Sequence, residues 1–539
     1  MSYVKRNGLR ILRVAVPVGF GCVFFVWPLV AILTRTLSAS AIADVARDGG
    51  LRHVIWFTVW QAAVSTALTL VLGMPAAYVI ARYEFPGKRL FRAFILVPFV
   101  MPTVVVAMAF LALLRPGGPL AFLHWQRGVG PLLAAHVFFN LAVVIRTVGL
   151  FWANLDPAQT DAARVLGATK RRAFREVTLP LLSPAIIAAT SITFLFTFTS
   201  FGAALLLADP SHATMEVEIY NQTVDLFSRS TAAALALIQI VAVIGVLLVL
   251  ARAQERRGVT QRLVASTETA QRPRGRQKLL VGAVIGLTTL VLALPLVVLA
   301  ERSLRSNGQF TLRYYRALGS SSSASTLFVS PWTALKYSLS FAAVATVIAL
   351  VIGGCAAVVI ARRPGRATQS LDAFLMLPLG TSAVTVGFGF LVAFDRPPLD
   401  LSTSWWLIPL AHAVVATPFV VRAVVPALRS IDPRLRDAAS MLGAAPPRVW
   451  REVDAPIVAR AFAVAAGFCA AVSLGEFGAT LFIARPNTPT LPIAIDRFLS
   501  RPGALNVGQS FALATILMVL SATVVLAIER IRVRDLGTF

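Results

Sequence analysis

Long apolar runs separated by short polar stretches fill almost the whole chain. Runs of spanning length fall at 14–34, 55–81, 91–114, 131–153, 181–207 and 231–252, then at 279–300, 333–361, 371–394, 406–428, 457–484 and 508–529. About 20 apolar residues suffice to cross a bilayer as a helix. The pattern therefore predicts an all-α polytopic membrane protein with about twelve transmembrane helices, six on either side of a polar seam. That seam, QERRGVTQRLVASTETAQRPRGRQK at 254–278, is basic and rich in Ser and Thr, and reads as a solvated linker. It divides the chain into a first transmembrane domain, 1–253, the linker, 254–278, and a second transmembrane domain, 279–539.

Composition agrees with this reading, since 57% of the 539 residues are hydrophobic and only 14% are charged. A net charge of +26 would suggest nucleic acid in a soluble protein. Here the basic residues cluster in alternate loops, so a membrane orientation explains them and no nucleic-acid partner is expected. The N-terminus, the 82–92 loop (Arg82, Lys88, Arg89, Arg92), two polar loops near 155–180 and 431–456, the linker, the 362–366 segment (Arg362, Arg363, Arg366) and the tail (Arg530, Arg532, Arg534) are all basic. They share one side if the chain starts in the cytoplasm and crosses twelve times. The opposite loops are poorer in base, and 208–225 carries Asp209, Glu216, Glu218 and Asp225. Lys and Arg mark cytoplasmic loops, so the expectation is a multi-pass protein of the cell membrane with both termini cytoplasmic. Cys22, Cys355 and Cys469 lie inside apolar runs, where a disulfide or metal cluster is not expected.

The two polar loops are copies of one another. LDPAQTDAARVLGATKRRAFREVTLP (155–180) and IDPRLRDAASMLGAAPPRVWREVDAP (431–456) lie 276 residues apart. At that spacing Asp156-Pro157, Asp161-Ala162-Ala163, Gly167, Arg175-Glu176-Val177 and Pro180 match Asp432-Pro433, Asp437-Ala438-Ala439, Gly443, Arg451-Glu452-Val453 and Pro456. Arg146 matches Arg422, Phe201-Gly202-Ala203 matches Phe477-Gly478-Ala479, and Thr214 matches Thr490. Further upstream the offset becomes 280, pairing Gly73, Ala81-Arg82 and Pro98 with Gly353, Ala361-Arg362 and Pro378. An even number of crossings separates the copies, so the halves form parallel repeats about a pseudo-twofold axis along the membrane normal.

Each loop has the punctuation of a short helix, with Asp at the N-cap, Pro at the first position and Gly just past the end. Helices over 157–166 and 433–442 are predicted, each followed by a turn and a second short helix. Helices this short are marginal alone in water, so something must hold them. Ala162-Ala163 and Ala438-Ala439 offer a small-residue face, with Asp161 and Asp437 beside it. Asp-Ala-Ala-x3-Gly, with Pro thirteen residues after the Gly, resembles the EAA loop of binding-protein-dependent ABC importer permeases. The resemblance extends over nearly the whole chain as two fused permease domains, although both copies carry Asp where the family often has Glu. It implies that Asp161, Ala162, Ala163, Gly167, Asp437, Ala438, Ala439 and Gly443 form coupling helices seated on two cytoplasmic ABC ATPase subunits. It further implies an external substrate-binding protein as partner, with membrane lipid around the spans. The chain has no G-x-x-x-x-G-K-[ST] phosphate loop. It is read as a transport subunit rather than an enzyme, with no cofactor or metal of its own and ATP and Mg bound by the partner ATPase.

Glu476, in Ser-Leu-Gly-Glu-Phe-Gly, is the carboxylate set deepest in an apolar run; its counterpart is Ser200. A charge at that depth costs about 2.5–3.5 kcal/mol on insertion scales and usually faces a cavity or partner. Two readings stand side by side: an outer gate or transient cation contact, and a structural role as a helix–helix hydrogen bond or a carboxylate reaching the outer headgroups. Phe201 and Phe477, at matched positions, are read as an aromatic constriction, as lipid-facing residues or as core packing. Pro98, Pro102 and Pro378 are expected to bend helices three and nine, and His136, Asn140 and His412 to make interhelical hydrogen bonds. The strings SFGAALLLADPSHATMEVEIY and SLGEFGATLFIARPNTPTLPIAI resemble the iron(III)/thiamine branch of these importers, while Gly-Glu-Phe-Gly also resembles molybdate and sulfate permeases. A major-facilitator-type secondary transporter shares the six-plus-six plan but has no need of matched polar loops after helices four and ten.

Overall fold

The computed structural model describes residues 14–257, 271–306, 308–319, 329–362, 365–397 and 399–533. About half of the 254–278 linker (258–270), Arg363, the basic N-terminal residues and Arg534 lie outside the described residues. In the first half, α1 spans Val14–Arg35, α2 Ala39–Arg47, α3 Gly49–Arg82, α4 Lys88–Val100, α5 Thr103–Leu114 and α6 Val129–Ala153. There follow α7, Ala158–Val165, α8, Lys170–Phe198, α9, Gly202–Leu207, α10, Met215–Tyr220, and α11, Arg229–Arg257. The second half repeats the order: α12 Arg276–Ser303, α13 Arg313–Ala317, α14 Pro331–Arg362, α15 Arg366–Gly380, α16 Ala383–Ala393 and α17 Leu407–Arg429. It continues with α18 Pro433–Met441, α19 Pro446–Gly475, α20 Gly478–Ile483, α21 Leu491–Leu499 and α22 Ala504–Val533. A two-residue hairpin, Arg305–Ser306 with Gln309–Phe310, follows α12.

Ten of these helices are long and apolar enough to span a membrane, and the other two expected spans are broken. The runs 91–114 and 371–394 are not straight helices. The pair α4/α5 bends by 99° and α15/α16 by 98°. Pro102 supplies the first bend, because proline pushes the residue before it out of the helical region; Met101 is extended, with ψ 139°. At the second bend Thr381 is likewise extended, and Ser382 caps the new helix by accepting from the Val384 and Thr385 N–H groups.

The runs 181–207 and 457–484 also break, which the apolar pattern concealed. Helix α8 ends at Phe198 and α9 begins at Gly202; α19 ends at Gly475 and α20 begins at Gly478. The acidic 208–225 segment, read from the sequence as an outer loop, instead folds back into the bundle. Its α10 is buried along Met215, Glu216, Val217 and Ile219, and α21 is its counterpart. Matched hydroxyls on α3 and α14 receive the two returning segments: Met215 N–H donates to Thr58 Oγ1 at 2.9 Å, and Leu491 N–H to Ser338 Oγ at 2.7 Å.

The halves are interleaved. Helix α1 packs on α16 of the second half, with Phe24 beside Phe390 and Phe394, and α12 packs on α5 of the first. This exchange is reciprocal, as a two-fold relation requires, and one apolar core runs through both halves. Within each half the packing of α3 on α6 and of α14 on α17 explains a matched glycine pair. A Cβ on Gly73 would lie 2.8 Å from Val144 Cγ1, and one on Gly353 2.6 Å from Val420 Cβ. Small residues let helix backbones approach where lipid gives no hydrophobic drive to associate.

Overpacking such a contact costs about 1–3 kcal/mol. Gly73→Val and Gly353→Val are each expected to lower the melting temperature of the purified protein by several degrees. Gly286→Ala, whose Cβ would meet nothing within 4 Å, is expected to leave it unchanged. Equal melting for all three would refute the packing account.

Candidate functional site

All four helix breaks converge where the halves meet. Gly475, at the end of α19, lies against Pro102; a Cβ there would stand 3.2 Å from the Pro102 Cα. Gly202, opening α9, similarly faces Thr103 and the Phe477 ring. Gly478, opening α20, faces Ala383 and the Phe201 ring. Gly387 of α16 packs directly on the backbone of Ala479, where a Cβ would come within 2.6 Å of Cα. Each break frees backbone groups that hydrocarbon cannot satisfy, so four breaks gathered inside protein define a deliberate feature of the bundle's interior.

Phe201 and Phe477 meet there. Their rings stack with centroids 5.6 Å apart and planes inclined by 29°. Tyr220 from α10 lies 5.8 Å from Phe201 and 5.6 Å, edge-on, from Phe482. Phe201, Phe477 and Ser200 are buried. This aromatic layer joins the two halves.

Two carboxylates flank the layer. Glu476 occupies the α19/α20 break with an extended backbone, and its Oε1 accepts the Ala479 N–H at 2.7 Å, capping α20. His412 of α17 holds both sides of that break, reaching Ser473 Oγ at 2.7 Å and Thr480 Oγ1 at 2.8 Å. The expected interhelical role of His412 is thus observed. His136, at the matched position, reaches Ser65 Oγ, and Asn140 donates to the His136 carbonyl of its own helix.

The second carboxylate, Glu216 on α10, was missed in the sequence because it sat in a segment read as an outer loop. It is 0% exposed. Ser382 Oγ, across the boundary between halves, donates to its Oε2 at 2.5 Å, and Gln239 Nε2 of α11 donates to Oε1. Ser382, which bonds Glu216, adjoins Ala383, against which Gly478 packs, so Glu216 lies beside the break that Glu476 caps. A signal was present: 491–495, at the 276-residue spacing, reads Leu-Pro-Ile-Ala-Ile, too apolar for a loop in water. Lys88, paired with Glu84, is the only buried Lys or Arg among the described residues.

At the basic end of the bundle the two polar loops adopt matching structures. Asp156 Oδ1 accepts the Ala158 N–H and Asp432 Oδ1 the Arg434 N–H, both at 2.9 Å. Helices α7 and α18 end alike. Gly167 and Gly443 take φ of 89° and 81°, a left-handed conformation that glycine adopts without penalty. The N–H groups of Ala168 and Ala444 return to Ala163 and Ala439, and those of Gly167 and Gly443 to Arg164 and Ser440, a complete Schellman termination. Each following helix then passes through one π-helical turn, Phe174–Thr178 and Trp450–Asp454.

What these helices present outward was only partly legible. Asp161, Ala162, Asp437 and Ala438 are exposed, while Ala163 and Ala439 are half-covered. Beyond them stand four apolar side chains at matched positions: Val165 and Leu166 (87% and 88% exposed) and Met441 and Leu442 (88% and 89%). Neither Asp161 nor Asp437 has a side-chain hydrogen bond or ion pair among the described residues. Exposed apolar pairs beside free carboxylates, on loops outside the spans, mark an interaction surface.

Comparison with known proteins agrees with this architecture. The profile of the family described as binding-protein-dependent transport system inner membrane component matches residues 69–259. A probable ABC transporter permease protein, y4fN, of Sinorhizobium fredii is 26% identical over 542 residues, covering 94% of both chains. The thiamine transport system permease protein ThiP of Brucella abortus is 26% identical over 525 residues, covering 92% of this chain and 93% of that one. The putative 2-aminoethylphosphonate transport system permease protein PhnV of Salmonella typhimurium is 31% identical over 268 residues, 49% of this chain and 97% of its own length. With two matched polar loops, interleaved halves and relatives of both single and double length, the chain belongs to the binding-protein-dependent inner membrane permeases of ABC transporters, in the fused double form.

Proposed function

We propose that this protein is the membrane channel of an ATP-driven importer for a cationic nutrient of the thiamine type. The observation that carries the choice of substrate is the pair of carboxylates, Glu216 and Glu476, at the closed layer between the halves. A buried acid without a cationic partner costs free energy, and a positively charged solute passing through the layer would offset that cost. An oxyanion would meet repulsion at the same point. The thiamine permeases that align along most of the chain support this reading. Iron(III) fits the same charge. A phosphonate is the second reading, favoured by the 31% identity to PhnV.

In this reading the basic end faces the cytoplasm. Helices α7 and α18 each seat on one ATPase subunit, with the Val165-Leu166 and Met441-Leu442 pairs as the apolar contacts. Asp161 and Asp437 offer a charge beside them. An external binding protein delivers the solute to the opposite face. Closure of the ATPases would draw the two loops together and part the halves at Phe201 and Phe477. ATP and Mg belong to the ATPase subunits.

Uptake of labelled thiamine, ferric iron and 2-aminoethylphosphonate, with and without the gene, separates the readings. Loss of thiamine uptake alone, restored by the gene, is expected; loss of phosphonate uptake alone would overturn the cation reading. Glu216→Gln and Glu476→Gln, at equal surface expression, are each expected to lower cation uptake about tenfold, in line with the ~1.5 kcal/mol lower bound for a hydrogen bond to a charged group. Gln at 476 keeps an acceptor for the Ala479 N–H, so the loss isolates the charge. Native uptake in both variants would reduce the carboxylates to a structural role.

Docking has its own test. Asp161→Arg and Leu166→Glu, or Asp437→Arg and Leu442→Glu, are expected to abolish co-purification of the ATPase while membrane insertion is retained. Undiminished co-purification would refute the docking surface.

A further inference from the structure

The two docking helices are fastened to the membrane bundle in chemically different ways. In the second half, Asp454 sits in the π-helical turn at the base of α19 and is 0% exposed. Arg436, on docking helix α18, donates Nε to Asp454 Oδ1 at 2.7 Å, and Arg362, the last residue of α14, bonds Oδ2. Arg436 also reaches the Leu428 carbonyl of α17, and the Arg362 guanidinium lies over the Trp450 ring at 5.5 Å. One buried carboxylate thus ties the docking helix to α19 and α14, and Arg436 adds α17.

In the first half the same positions hold Thr160 and Thr178, matched to Arg436 and Asp454 at the 276-residue spacing. Their hydroxyls share a single 3.2 Å hydrogen bond. Phe174, in place of Trp450, packs on Trp152 instead of a guanidinium. Among the described residues, the first docking helix thus has a neutral hydroxyl pair at the place where the second has a buried ionic bond.

The geometry points to Asp454 as the positioning residue that makes the second docking helix a rigid lever, while the first can tilt on its bundle. A bond between charged groups resists displacement more than a hydroxyl pair, and removing one partner of a buried ion pair leaves the other uncompensated. ATPase movement would then be transmitted chiefly through the second half, where α19 leads directly to the Glu476 break. This rests on α18 being the ATPase-docking helix.

Nitroxide labels on Arg164→Cys and Ser440→Cys, matched positions on the two docking helices, read the difference in the purified permease alone. The Ser440 label is expected to be the less mobile, and Asp454→Asn with Arg436→Gln to raise its mobility to that of the Arg164 label. Equal mobility in the parent protein, or no change in the variant, would overturn the inference. Because no ATPase or substrate is present, this arm holds or fails independently of the importer reading. In proteoliposomes with ATPase and binding protein, the same variant is expected to lower solute transported per ATP hydrolysed about tenfold, within the usual range of coupling free energies. An unchanged ratio would overturn the inference. Should that variant not fold, Thr160→Arg with Thr178→Asp supplies the converse: the Arg164 label is expected to become less mobile, and unchanged mobility would count against the ionic clamp.

Discussion

Every peptide group inside a bilayer must find its hydrogen bond within the protein. A helix does this automatically, so each break in a helix has to be placed where other side chains can complete the pairing. This protein breaks four of its spans and brings all four breaks to one place. Ser382 caps one, Glu476 caps another, and His412 braces the second across Ser473 and Thr480. The interface between halves is the location that offers these partners, and it is also where a path for solute would have to run. The aromatic layer at Phe201 and Phe477 thus lies where broken backbone can be tolerated.

The same constraint links the gate to the loops at the basic end. Helices α8 and α19 run without interruption from the polar loops to the breaks at 199–201 and 476–477, apart from one π-helical turn near their bases. In the proposed function, a displacement of α7 or α18 would enter these helices at the π turn and be carried toward Phe201 or Phe477. Interleaving of α1 with α16 and of α12 with α5 prevents the halves from simply separating. At their shared boundary the glycines keep the backbones in close contact.

Much of this was legible in the chain. The apolar runs located the spans, and the 276-residue repeat located both matched polar loops, down to the glycines at 167 and 443 that take positive φ. Phe201 and Phe477, singled out only as a matched pair, do stack across the boundary. What hydropathy could not show was continuity: Ser200 and Glu476 lie in apolar runs that look unbroken, because the breaks are satisfied by neighbours distant in sequence. Glu216 was hidden for a related reason. Its segment is acidic enough to resemble a loop, and its burial is made tolerable by Ser382, 166 residues away, together with Gln239 of α11. The exposed Leu166 and Leu442 were concealed by the opposite effect, since an apolar residue in a mostly apolar chain attracts no notice until its surroundings are known.

The central claim is that the Phe201–Phe477 layer is a gate that must open for solute to pass. The most direct measurement is uptake by Phe201→Cys/Phe477→Cys in an otherwise cysteine-free protein, before and after bridging with a short reducible dithiol reagent. The account predicts that bridging stops uptake, that reductant restores it, and that ATP hydrolysis by the partner persists while the bridge is closed. Native uptake through the bridged protein would contradict it.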